Sequence, residues 1–283
     1  MSTLPLYADD LRPLLKRRGP QDHKGTFGHA LLVAGSFGKM GAAILAARAV
    51  LRSGAGLVTC HVPRSGYEIL QISFPEAMCT VDAHRYHASE VGALQTYRAI
   101  GVGPGLGTAP LTVNVLEDLL KRSPVPLVLD ADALNILAAH KHLLDLIPRG
   151  SILTPHPKEF TRLFGELTEE GARRRVQREE AKSRGITILH KTGNTEIAIP
   201  DGTVYQNTTG NPGMGTAGTG DVLTGLLTGL LAQGYAPNVA ARLGTYLHGL
   251  AGDLAARELG QEFLVADDVV RHIGAAYRAL RGD

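Results

Sequence analysis

Between His29 and Val62 the chain alternates in a way that few folds accept. A short apolar run, His29 to Ala34, ends in the glycine turn Gly35-Ser36-Phe37-Gly38. From Gly41 to Arg52, Ala42, Leu45, Ala46, Ala49 and Val50 recur at helical spacing, and Gly54 and Gly56 stop the helix. Leu57 to Val62 is then a second apolar run. Strand, turn, helix, turn and strand in so short a stretch predict two parallel strands joined by a helical crossover.

The alternation continues to the C-terminus. Strands are expected at Ala77–Val81, Ala99–Gly103, Val125–Leu129, Ile152–Thr154, Ile186–Lys191, Thr195–Ile199 and Thr203–Gln206, the last two joined by a hairpin turn at Asp201-Gly202. Helices are expected at Ala8–Arg17, Pro110–Lys121, Thr168–Ser183, in the apolar run after Asp221, at Asn238–Leu259 and at Ala266–Arg281. The pattern predicts an α/β sandwich with a mostly parallel central sheet. No composition break divides the chain, so residues 1–283 are read as one domain.

The segment Gly210 to Asp221 holds five glycines in eleven residues and stops at an acid. Glycine lets a backbone close on a ligand, and a helix starting near Thr219 turns its free N–H groups and positive dipole end toward it. Gly218, Thr219 and Gly220 thus form an expected anion hole, most simply for phosphate. A carboxylate beside a phosphate is repelled by it, so Asp221 is read as a base that takes a proton from a neighbouring hydroxyl; the plainer reading is a helix N-terminal acid in a flexible loop. Gly35–Gly38, Gly103–Gly107, Asp130, Thr154–His156 and the stretch after Lys191 all follow strand carboxyl ends, the edge where open α/β sheets bind ligands.

Composition narrows the class. Net charge is +2, with 29 basic and 27 acidic residues, which gives no reason to expect a nucleic-acid or acidic-membrane partner. No uninterrupted apolar run reaches membrane-spanning length, and residues 1–10 carry neither a basic nor an apolar signal region. Cys60 and Cys79 lack metal-ligand spacing and are read as buried free thiols; the location expected is cytoplasmic. Arg173-Arg174-Arg175 followed by Glu179-Glu180 suggests an ion-paired helix face.

Seven segments in order resemble the NAD(P)H-hydrate dehydratases of the ribokinase-like superfamily. They are Lys24–His29, Gly38–Ala43, Leu51–Val58, Gly103–Gly107, Leu129–Asn135, Thr154–Phe160 and Gly215–Asp221. The resemblance implies a ribokinase-like α/β/α sandwich and the repair of hydrated NADH and NADPH, the S epimer, with ADP giving AMP and phosphate in bacterial and archaeal members and ATP in eukaryotic ones. It implies Mg²⁺, and often a homotetramer. Many bacterial members carry an N-terminal epimerase domain, for which the stretch before Lys24 is too short.

The same resemblance assigns roles. Asp221 would be the catalytic base and touch substrate. Ala43, Gly107 and His156 would contact the hydrated dinucleotide; on the residues alone Ala43 and Gly107 read as packing positions and His156 as a loop histidine. Lys191, Thr192, Gly193, Asn194, Thr195 and Gly220 would bind the nucleotide, although Lys191 also reads as a solvated lysine at a hairpin. Glu159 could organise metal-bound water; the metal ligands are otherwise open. Asp132 is read as the cap of the following helix, and Gly225 and Gly229 as positions of close helix–sheet packing. Sugar kinases of the superfamily usually carry Asp-Thr before the anion hole and Asn-x-x-Glu near the metal; here these read Gly215-Thr216 and His156-Pro157-Lys158-Glu159. The alternatives are a vitamin-precursor kinase of hydroxyethylthiazole or hydroxymethylpyrimidine type, and a silent nucleotide binder.

Overall fold

The computed structural model describes residues 3–167, 169 and 171–283. Among these residues ten strands form one sheet: β1 Leu4–Pro5, β2 His29–Val33, β3 Leu57–Val62, β4 Met78–Val81, β5 Ala99–Val102, β6 Leu127–Leu129, β7 Ile152–Leu153, β8 Thr187–His190, β9 Glu196–Ala198 and β10 Val204–Gln206. Their order is β1-β10-β9-β8-β7-β6-β5-β2-β3-β4. Strand β9 runs antiparallel to its neighbours, through the hairpins it makes with β8 and β10, and the other pairings are parallel. The first crossover is as expected, with β2 parallel to β3.

The helices are α1 Ala8–Leu11, α2 Met40–Arg52, α3 Tyr67–Ser73, α4 Pro110–Arg122, α5 Ala131–Ala139, α6 Pro157–Phe164, α7 Ala172–Arg184, α8 Thr219–Ala232, α9 Pro237–Leu259 and α10 Ala266–Arg281. Residue 168, where α7 was expected to begin, lies outside the described residues. The expected first helix is cut short: α1 ends at Leu11 and tightens into a 3-10 turn at Arg12–Leu14, where Pro13 has no N–H to give.

Strand alternation explains the two core layers. In β2, Ala30 and Leu32 point into one cluster and Leu31 and Val33 into the other. The first layer is built with α2, α8, α9 and α10, the second with α4, α5, α6 and α7. All residues of α8 from Val222 to Ala232 are buried, which marks it as an interior helix rather than an amphipathic one.

Gly225 and Gly229 of α8 serve a contact other than the expected one. A Cβ on Gly225 would lie 2.1 Å from the Ala46 carbonyl oxygen, and one on Gly229 would lie 2.0 Å from Ser53 Oγ. Both approaches are to α2 or its C-terminal cap, so the close packing is helix on helix. The sheet contributes its own gap at Gly101, where a Cβ would stand 2.5 Å from Thr228 Oγ1.

Both cysteines are free; Cys60 is buried, but Cys79 on edge strand β4 is only partly so. The arginine cluster also reaches further than expected. Arg174 bridges from α7 to Glu196 of β9, while Glu180 and Arg184 pair along the helix at 2.7 Å. No helix among the described residues is long and apolar enough to cross a membrane.

Candidate active site

The parallel strands bring the ends of β6, β7 and β8 and the start of α8 to one edge. Gly218 precedes α8 with φ of 94°, in the left-handed region, and a Cβ there would lie 2.6 Å from Leu45 Cδ1. Only glycine meets both conditions. The Thr219 hydroxyl donates to the carbonyls of Met214 at 2.9 Å and Thr216 at 3.1 Å, fixing the loop to the helix. The N–H groups of Thr219, Gly220 and Asp221 open the helix without intrahelical acceptors, next to its positive end.

Gly220 faces the end of the sheet. A Cβ added there would stand 3.5 Å from Lys191 Nζ and 3.7 Å from Asp130 Oδ2. Lys191 is not a solvated hairpin lysine: its ammonium pairs with Asp130 Oδ1 at 2.7 Å, and its N–H donates to the Pro155 carbonyl at 2.9 Å. Asp130 is buried at the end of β6, and its other oxygen accepts from Thr224 Oγ1 at 2.7 Å. Ala131, next to it, holds φ at 48°, a conformation costly for a residue with a Cβ. The same pinch appears at Gly103, where a Cβ would lie 1.8 Å from the Asp130 carbonyl oxygen.

Asp221 sits in the first turn of α8, and its side chain makes no hydrogen bond or salt bridge among the described residues. Burial, then the charges of Asp130 and Asp132, push its pKa up to about 6 against the pull of Lys191. An unpartnered carboxylate whose pKa is raised toward neutrality, in the first turn of a helix with open N–H groups, is equipped to accept a proton.

Asp132 does not cap its helix. The residue before α5 is Asp130, and Asp132 in the first turn instead accepts from the Gly107 N–H at 2.8 Å and from Asn135 Nδ2 at 3.2 Å. Lys39 Nζ lies 3.5 Å from the same carboxylate. Gly107, with φ of 80°, is thereby locked in its turn with its N–H already used. Ala43 is fully buried, with its methyl beneath the Gly35 turn, so it lies under the site surface rather than on it.

His156 is the N-terminal cap of α6. Its Nδ1 accepts from the N–H groups of Lys158 at 3.1 Å and Glu159 at 3.4 Å, which leaves the proton on Nε2. Burial, followed by the nearby cations Lys191, Arg162 and Lys158, holds its pKa low despite the opposing charge of Asp130, so the ring is a neutral donor. Glu159 completes the cap by accepting from the His156 N–H at 2.9 Å, and its Oε1 lies 3.3 Å from His156 Nε2. One oxygen of this carboxylate is used in the cap.

A cleft of about 510 Å³ runs along this edge. Lys191, Thr192, Gly193, Thr195, Gly220 and His156 line it, so most of the predicted nucleotide segment converges there. Asn194 is exposed and stands outside the lining, its carbonyl accepting from Thr192 Oγ1 at 2.8 Å. Two cavities of similar volume, one beside Phe74 and one beside Tyr277, lie away from the glycine loop and the start of α8.

Two residues here have roles that a reading of the sequence does not give. Asp130 anchors Lys191 and Thr224; its only signal is an acid at the end of a buried strand. His248 of α9 lines the cleft and donates from Nε2 to the Thr219 carbonyl at 2.9 Å, with burial pushing its pKa down to about 4. Nothing in the sequence around His248 marks it.

The profile of the family described as NAD(P)H-hydrate dehydratase matches residues 30–274. A bifunctional NAD(P)H-hydrate repair enzyme of Moorella thermoacetica is 43% identical over 279 residues, covering 95% of this chain and 53% of the relative. An ADP-dependent (S)-NAD(P)H-hydrate dehydratase of Neisseria meningitidis is 37% identical over 274 residues, covering 95% of this chain and 90% of the relative. The chain thus spans about half the length of the bifunctional relatives it matches. The crystal structure of an ADP/ATP-dependent NAD(P)H-hydrate dehydratase of Bacillus subtilis, co-crystallised with ATP and Mg²⁺, superposes with a TM-score of 0.84 at 30% identity, over 99% of each chain. The ribokinase-like sandwich expected from the motifs is the observed fold.

Proposed function

The chain belongs to the NAD(P)H-hydrate dehydratase family, and from that premise we propose that it restores NADH and NADPH from their S hydrates, with ADP as phosphoryl donor and AMP and phosphate as products. The observation that carries this reading is the free carboxylate of Asp221, pushed up to about 6 and set beside the open N–H groups of α8.

Hydroxide is a poor leaving group, and phosphorylation of the ring hydroxyl turns it into a good one. Asp221 takes the hydroxyl proton as that oxygen bonds to the β-phosphorus; the bond from phosphorus to the bridging oxygen breaks and AMP leaves. The phosphate then departs from the ring carbon, a proton leaves the adjacent carbon, and the double bond returns. The amides of Gly218 to Gly220 hold the transferring group, since positioning and charge stabilisation are most of what phosphoryl transfer needs. Lys191, with Thr192, Gly193 and Thr195, receives the nucleotide. His156 presents Nε2–H to the substrate, and Gly107 forms the turn against which it rests.

No three His, Cys, Asp or Glu side chains among the described residues gather into a metal-holding group. Asp130 and Glu159 already have partners. Mg²⁺ is therefore proposed to be held by nucleotide phosphates and water, where it shields the diphosphate. A cytoplasmic homotetramer of one-domain subunits completes the proposal, and light scattering tests the assembly.

The test is optical. Hydrated NADH is mixed with the protein, Mg²⁺ and either ADP or ATP, and the near-ultraviolet band of the dihydronicotinamide is followed. Recovery with ADP supports the reading; recovery with ATP alone overturns the donor. A stable phosphorylated product without recovery overturns the reaction.

A further inference from the structure

The loop from Asp82 to Arg98, between β4 and β5, contains no helix or strand, yet it is built on one buried carboxylate. Asp82 accepts from the N–H groups of His84 and Ser89, both at 2.7 Å, from Ser89 Oγ at 2.6 Å and from His61 Nε2 at 3.0 Å. Burial alone would raise its pKa, but these donors prevail and hold it at about 2. The loop is thus fixed at its base. Its tip is fixed too: the Arg64 N–H donates to His84, the Ser65 N–H to Arg85 and the Phe37 N–H to Tyr86, at 3.1, 3.0 and 2.8 Å.

What this framework displays is a pair of aromatic rings in water. Phe37 is 67% exposed and Tyr86 45% exposed, and they meet edge to face with centroids 5.2 Å apart. Burial in the core does not explain them. Their position is informative, because the turn of Phe37 is bonded to the turn of Gly107. The Gly35 N–H donates to the Pro104 carbonyl at 2.8 Å and Ser36 Oγ donates to the Gly105 carbonyl at 2.7 Å. Lys39 then places an ammonium near Asp132, which also holds the Gly107 N–H. The exposed aromatic pair is thus tied to the turn of Gly107, and none of these residues lines the nucleotide cleft, so the pair offers a flat base a surface on another side of the site.

We propose that the Phe37 ring, braced edge to face by Tyr86, is the stacking shelf for the adenine base of the dinucleotide substrate, while its hydrated ring lies at Asp221. This rests on the dehydratase reading and adds the subsite for the non-reacting end of the substrate. Binding there tightens the ground state and the transition state alike, so it acts on KM.

The experiment compares wild type, Phe37→Ala and Phe37→Trp on hydrated NADH and on hydrated reduced nicotinamide mononucleotide, which lacks the adenylate. Phe37→Ala is expected to raise KM for the dinucleotide about fivefold, the low end for loss of base stacking, with kcat within about twofold. Phe37→Trp restores KM, and the mononucleotide KM is the same in all three. An unchanged dinucleotide KM, an equal rise with both substrates, or no rescue by tryptophan overturns the shelf. A wild-type protein inert on hydrated NADH would remove the dehydratase reading and the shelf with it, an outcome distinct from a shelf failure in an active enzyme.

Discussion

Replacing Asp221 by asparagine should abolish turnover and stabilise the protein at once. The side chain keeps its shape but can no longer accept a proton. Loss of a general base costs about 10²–10⁴ in rate. For stability, the folded-state pKa is about 6 against an ordinary 3.8. The folded protein therefore holds this proton more tightly than the unfolded chain. Its cost is absent below pH 3.8, grows between 3.8 and 6, and is fully present above 6. That gap corresponds to about 3 kcal/mol at full value, and the partial exposure of Asp221 reduces it to about 1–3 kcal/mol. The asparagine side chain carries no charge at any pH, so the variant should gain that amount at about pH 8 and almost nothing at about pH 4. Thermal melts at the two pH values read the difference as roughly 2–4 °C per kcal/mol. In the wild type, kcat/KM should fall about tenfold per pH unit well below the Asp221 pKa. A variant that keeps turnover within about tenfold of wild type, or that is less stable than wild type at the higher pH, would refute the role given to this carboxylate.

Other outcomes follow from the same geometry. Asp130→Asn removes a negative charge that raises the Asp221 pKa and frees Lys191 to lower it, so the acid limb of the pH–rate profile should move to lower pH; an unmoved limb would mean that Asp221 is not the titrating base. Gly220→Val sets a side chain against Lys191 and Asp130 and should weaken ADP binding about tenfold by calorimetry, whereas unchanged affinity would take Gly220 out of the nucleotide site. Gly225→Ala puts a methyl 2.1 Å from the Ala46 carbonyl oxygen and should cost about 1–3 kcal/mol, read as a lower melting temperature; an unchanged melt would show that α2 and α8 separate freely.

Much of the site is legible because it lies at strand ends marked by glycine or an acid. The turns at Gly35 and Gly103, the Lys191 segment and the start of α8 are all found from local pattern, and parallel topology alone brings them to one edge. Two of the misreadings have a common cause. Asp132 looked like a cap because its neighbours in sequence form a helix, but its partner, the Gly107 N–H, is 25 residues away. Gly225 and Gly229 looked like sheet contacts because a spacing cannot say which neighbour lies on that face. Helix α3 was missed because it buries only Leu70 while Ile69 and Ile72 stay exposed, so it has no apolar stripe to read.

The amino-acid order by itself determines the alternation of strands and helices, the glycine-rich loop before α8 and the acid in the first turn of that helix. These depend on φ, periodicity and helix termini, which are properties of neighbouring residues. Tertiary structure alone decides that Asp130 binds Lys191 and Thr224, that His248 steadies Thr219, that Ala43 lies under the surface and that Phe37 meets Tyr86. These pairings join residues far apart in the chain, and so does the pKa of Asp221, because burial and neighbouring charge exist only once the sheet has brought those residues together.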